Sequence, residues 1–130
     1  MRISKIIIFA IGISILLAAC GASRTTKTIP ADSVFTITMI TNPTSPTRGD
    51  ITLQFTVVDD KGQSVIGADF NVIADHTDMS GMTMQGKATE QGEGVYAITA
   101  NFSMSGNWKL SLQVKKDALD YKQDISLKIK

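Results

Sequence analysis

The stretch "VYAITANFSMSGNWKLSLQV", residues 95–114, decides the fold. Its larger apolar side chains fall on every second position: Tyr96, Ile98, Ala100 and Phe102, then Trp108, Leu110, Leu112 and Val114. A period of two puts each row on one face of an extended chain, whereas an amphipathic helix needs spacings of three and four. Between the rows, "MSGN" at Met104–Asn107 combines serine, glycine and asparagine, the chemistry of a turn. Two antiparallel strands joined by a short connection follow.

The same alternation extends in both directions. "ITLQFTV" sets Ile51, Leu53, Phe55 and Val57 on one face, and "ADFNVIA" sets Ala68, Phe70, Val72 and Ala74. "DISLKIK" turns Ile125, Leu127 and Ile129 inward, with Ser126, Lys128 and Lys130 outward. "NPTSPTRGD", "DDKGQ" and "EQGEG" supply turns between the runs. With "VFTITMI" at the front and a short segment near Thr83–Ala88, strands are expected over residues 34–41, 51–58, 67–74, 83–88, 94–102, 107–115 and 122–129. The pattern predicts an all-β, immunoglobulin-like antiparallel β-sandwich of about seven strands. Lys109, Lys115, Lys116, Lys122, Lys128 and Lys130 fall at outward positions, where lysines protect sheet edges and keep a surface soluble.

This domain occupies residues 34–130, and what precedes it reads differently. Arg2 and Lys5 are followed by "IIIFAIGISILLAA", an apolar run of 14 residues. A spanning helix needs about 18 or more, so residues 1–19 read as a secretory signal peptide. "LAAC" at Leu17–Cys20 resembles the lipobox of bacterial lipoproteins, in which the cysteine thiol is diacylated and the chain is cut before it. Cys20 is the only cysteine, so no disulfide can form within the chain. Acyl chains contribute roughly 0.8 kcal/mol per buried methylene, enough for two or three to hold a protein at a bilayer. Residues 20–33 then read as the lipidated cysteine and a small, polar tether. Cleavage before Cys20 removes Arg2 and Lys5 but none of the 12 acidic residues, leaving a formal charge of −1. No strongly basic surface results, and a nucleic-acid partner is not expected. The expected location is the cell envelope, lipid-anchored to a membrane and facing away from the cytoplasm.

"ADHTDMSGMTMQG", residues 74–86, is the candidate functional segment. It holds the only histidine, His76, with Met79, Met82 and Met84; Met104 lies in the second "MSG" turn. If successive strands run antiparallel, the connections after the first, third and fifth strands share one end of the sandwich. Topology therefore brings both MSG turns to one rim. Thioethers are neutral, soft ligands that favour Cu(I) over zinc, magnesium or calcium, and one imidazole with two or three thioethers makes a Cu(I) set. Asp75 and Asp78 flank the histidine and are placed to orient its second nitrogen. One histidine and no free cysteine fall short of the usual zinc set. Two other readings stay open: methionines filling irregular gaps in a core, or lining a surface that docks a partner such as a membrane transporter or assembly factor. Catalysis is not expected. A single histidine, with no Gly-x-Ser-x-Gly, no Ser-x-x-Lys and no paired carboxylates, supplies no nucleophile–base–orienter set.

Four pieces of the chain resemble the FixH/YtkA-like domain family. They are the spacing G-x-x-x-x-x-F-x-V-x-D-x-x-G at Gly49–Gly62, "MSGM" at Met79–Met82, "GEGVYAITANFSM" at Gly92–Met104 and "GNWKLSLQV" at Gly106–Val114. The resemblance runs from about Arg48 to Val114. It implies an exported or membrane-anchored protein with an immunoglobulin-like sandwich and a link to copper handling, because FixH-type members accompany copper pumps. Those members carry a transmembrane anchor, where this chain has a lipobox.

Overall fold

The computed structural model describes residues 34–130. The expected signal peptide (residues 1–19) and the expected lipidated Cys20 and tether (residues 20–33) lie outside the described residues. Seven strands follow one another: β1 (Phe35–Asn42), β2 (Gly49–Asp59), β3 (Asp69–His76), β4 (Thr83–Gly92), β5 (Val95–Phe102), β6 (Gly106–Lys116) and β7 (Leu119–Ile129). All pairings are antiparallel, and the strand order is β1-β2-β5-β4-β3-β6-β7. Read as two layers, β1-β2-β5-β4 faces β3-β6-β7, the arrangement of a constant-type immunoglobulin sandwich.

β4 joins the two layers. Its first half, Thr83–Ala88, pairs with β3, and its second half, Thr89–Gly92, pairs with β5. A bulge between Glu90 and Gly92 shifts the register where β4 meets β5, the local kink such irregularities impose. Each sheet turns its alternating side chains inward. Ile51, Leu53, Phe55 and Val57 of β2 face Phe70, Val72 and Ala74 of β3 and Trp108, Leu110, Leu112 and Val114 of β6, all buried. Phe55, Phe70 and Tyr96 form a run of tilted ring contacts at 4.8 and 5.4 Å. The Tyr96 hydroxyl donates to the Val65 carbonyl at 2.7 Å and accepts the Ala68 amide at 3.0 Å, fixing the β2–β3 connection to the core.

Most strand ends lie one or two residues from the sequence reading, and β4 runs four residues past it, to Gly92. β3 runs two residues past Ala74, to His76. β7 starts at Leu119 and not near 122, because Asp117 takes a left-handed conformation (φ 52°) and closes a tight hairpin with no glycine. Aspartate is among the few residues that tolerate that region. Lys122 and Lys128 do lie on an edge strand, β7.

Candidate functional site

The connections β1–β2, β3–β4 and β5–β6 emerge at one end of the sandwich, so the two MSG turns meet. His76 is what joins them. It continues the inward row Phe70, Val72, Ala74 and is 7% exposed. Its ring stands edge-on to Trp108 at 4.9 Å, and Trp108 stands edge-on to Phe102 at 5.1 Å.

Both ring nitrogens have backbone partners. The Asp78 amide, which can only donate, reaches His76 Nδ1 at 3.2 Å. The proton of the neutral ring is therefore assigned to Nε2, which donates to the Ser105 carbonyl at 3.0 Å. One side chain thus ties its own loop to the β5–β6 turn. More bonds cross the same gap: the Thr77 amide and hydroxyl each donate to the Asn107 carbonyl at 2.9 Å, and the Asn107 amide donates to Asp78 Oδ2 at 3.3 Å. The His76 amide donates to the Met82 carbonyl at 3.0 Å, closing the 77–81 loop on itself. Gly106 permits the approach: at φ +128°, a Cβ there would sit 2.7 Å from His76 Nε2 and 3.2 Å from Asp78 Oδ2. The sequence reading had the flanking carboxylates orient the imidazole; the Asp78 amide and the Ser105 carbonyl do it instead. The Asp75 carboxylate accepts the Thr83 hydroxyl.

The methionines divide into two groups. Met79, at 47% exposure, stands at the tip of the β3–β4 loop, with half-buried Met82 at its end. Met84 and Met104 pack in part against the core, as does Met39. The Met104 carbonyl accepts the Trp108 indole N–H at 3.2 Å. Met84 also lines an apolar cleft of about 260 Å³, opened where β4 departs from β5, with Leu53, Val72, Ile98 and Phe102. Among the described residues, no three His, Cys, Asp or Glu side chains group as metal ligands. The soft donors at this rim are thioethers, and a metal using either nitrogen of His76 would have to displace a backbone hydrogen bond. The buried position of His76 was detectable from its parity with Phe70, Val72 and Ala74. The sheet switch of β4, which creates the cleft, left no mark in the sequence.

The fold and this rim define a small all-β domain with an immunoglobulin-like strand order. The chain belongs to the YtkA-like family, whose profile matches residues 31–113, well over half of it. The match begins earlier than the motifs suggested and takes in β1. It does not extend to the narrower FixH resemblance. A search of the curated proteins gave no match. Among solved structures, the chain is similar to the X-ray structure of the endo-beta-1,4-mannanase from Thermotoga petrophila, at 13% identity and a TM-score of 0.48. That similarity covers 72% of this chain and 20% of the mannanase chain, so this protein spans about a fifth of that one's length.

Proposed function

We propose that the protein is a non-enzymatic, extracytoplasmic accessory module, held to a membrane by acylated Cys20, that docks a membrane-protein partner through the rim built from residues 77–83 and 103–107. The observation that carries this reading is the occupied state of His76. The ring is engaged in joining two loops, which leaves Met79, with half-buried Met82 near it in the loop, as the exposed apolar feature of a rim held in one shape. Methionine side chains are unbranched and polarisable, suited to an apolar contact that adapts to its partner.

The position of the tether supports the same reading. β1 starts at Phe35, at the end of the sandwich opposite the rim. Strands of 8 to 11 residues at about 3.3 Å per residue separate the two ends by roughly 25–35 Å. The chain thus enters the domain at the end away from the rim, which leaves the rim clear of the attachment point.

A second reading keeps the metal. Met79, Met82, Met84 and Met104 all belong to this end, and thioethers alone suit Cu(I); His76 would join them only by exchanging a backbone bond. One experiment separates the two. Met79 and Met82 are replaced together by leucine or by glutamate, and both partner capture from membranes by crosslinking and Cu(I) affinity against a competing chelator are measured. Docking predicts that leucine preserves capture and glutamate abolishes it. Capture indifferent to glutamate ends the docking reading, and a Cu(I) affinity lost with leucine replaces it with the metal.

A further inference from the structure

The end of the sandwich opposite the rim collects the start of β1 and the β2–β3, β4–β5 and β6–β7 connections. Two inward rows run past the buried core there. β6 continues Trp108, Leu110, Leu112 and Val114 with half-buried Lys116, and β7 places Leu119 two residues ahead of buried Tyr121. Lys116 and Leu119 are register partners across the hairpin. Lys116 Nζ comes to 3.6 Å from where a Cβ on Gly67 would lie, which sets it beside Ile66 in the β2–β3 connection. Ile66 and Leu119 are 57% and 45% exposed. Two large aliphatic side chains thus stand at this end, with Lys116 against the chain beside each. A lysine stem covers apolar surface while its charge stays in water, and grouped exposed apolar side chains mark contact surfaces.

We propose that this patch rests on a lipid bilayer, with Ile66 and Leu119 entering the boundary between headgroups and acyl chains and the Lys116 ammonium staying among the headgroups. The contact presupposes the acylated Cys20 of the proposed function. Where the chain enters argues for that occupant. β1 begins at this end with Phe35, whose ring stands edge-on to Tyr121 at 5.8 Å, two residues from Leu119. Residues 20–33 number 14, and 14 residues span at most about 50 Å whatever their conformation. An anchored domain cannot leave the surface by more than that, so its contact with lipid is intramolecular in character and needs little affinity of its own. Charge neither drives nor forbids the contact. Exposed Lys61 and Lys115 and half-buried Lys116 are matched at this end by exposed Asp60, Glu93 and Asp117. Binding to an interface grows with the apolar area placed in it, so the two aliphatic side chains carry the contact. The bilayer then holds the domain upright, with the rim of Met79 roughly 25–35 Å from the lipid.

The test uses the full-length chain, purified from detergent-solubilised membranes and reconstituted into phosphatidylcholine vesicles that contain a lipid with a nitroxide on its headgroup. A maleimide fluorophore is attached at Ala118→Cys, exposed beside Leu119, or at Ser80→Cys, exposed at the rim. The parent chain, whose only thiol belongs to Cys20, should float with the vesicles and take no fluorophore. Nitroxide quenching at position 118 should exceed that at position 80 about threefold, given the roughly 25–35 Å between the two ends. Adding Ile66→Gln and Leu119→Gln together keeps every charge and should cut the quenching at position 118 to about half or less, with the fold checked by circular dichroism. Equal quenching at the two positions overturns the proposal and leaves the patch to a protein partner. Quenching at position 118 unmoved by the double substitution overturns it as well, because attachment alone then brings this end to the lipid. A parent chain that takes the fluorophore at Cys20 and fails to float overturns the anchor, and the bilayer contact with it.

Discussion

Replacing His76 by leucine isolates the staple at the rim. Leucine fills a similar volume and keeps the position apolar, so no large cavity opens. What disappears is the acceptor for the Asp78 amide and the donor to the Ser105 carbonyl. Each group is left unpaired at a half-buried site, at a cost of about 1 kcal/mol, the low end of the range for stranded polar groups. The edge-on contact with Trp108 adds about 0.5–1.5 kcal/mol. The sum, about 2.5–3.5 kcal/mol, corresponds to a fall in Tm of about 10–25 °C for a domain of this size. Thermal unfolding followed by circular dichroism measures it. Trp108, the only tryptophan, reports locally, because its fluorescence should shift as the ring beside it is exchanged. Amide exchange at Asp78 should accelerate more than exchange along β2. A Tm within about 2 °C of the parent, with Asp78 still protected, would show that the backbone bonds of Thr77 and Asn107 hold the loops unaided and that His76 is free for other use.

Two of the three tightly packed glycines, Gly106 and Gly86, should respond to alanine very differently. Gly106→Ala drives a Cβ into a ring held on both sides, at a φ that alanine resists, and should cost about 2 kcal/mol or more and release the Asp78 amide to exchange. Gly86→Ala meets only the terminal Cδ1 of Ile98, which can rotate into the adjacent cleft, so chemical denaturation should register a change below about 1 kcal/mol. Tyr96 sets the alkaline limit. Burial, with Glu90 nearby, holds its hydroxyl protonated above the ordinary tyrosine range, partly offset by the Ala68 amide. The folded state therefore binds a proton that the unfolded chain has released. The stabilisation is complete below pH 10 and falls away as pH rises through the folded value. Tyr96→Phe should flatten that alkaline decline in a Tm-against-pH series, while lowering stability at neutral pH by about 1–2 kcal/mol through the lost bonds to Val65 and Ala68.

Most of the sandwich was legible because one face of each strand is buried, and a buried face writes its period into the sequence. β2 and β6 show it plainly: Ile51 to Val57 and Trp108 to Val114 alternate without a fault, and all of those inward residues are buried. β4 was the hardest strand to read. It faces the core with Met84, Gly86 and Ala88, a flexible side chain and two minimal ones, and it serves both sheets in turn. Nothing in such a segment records which neighbour it pairs with, so the strand was expected to end at Ala88 and Glu90–Gly92 were read as part of a turn.

The rim shows why a motif can mark a place without naming its chemistry. Sequence brought the His76 loop and the Met104 turn to one end of the sandwich, because strand direction alone fixes which connections share an end. The role of the histidine depended on two further residues of strand. With β3 ending at Ala74, His76 is a loop residue whose nitrogens are open to a ligand. With β3 ending at His76, it is the last member of the inward row and faces Trp108 across the sheet. Once inside, a neutral ring must find partners for both nitrogens, since a buried polar atom left without one costs about 1–3 kcal/mol, and the nearest groups are the backbones of the very turns it adjoins. The same placement that makes His76 resemble a ligand thus engages it as a staple, and the exposed chemistry of the rim passes to Met79, with half-buried Met82 near it in the loop.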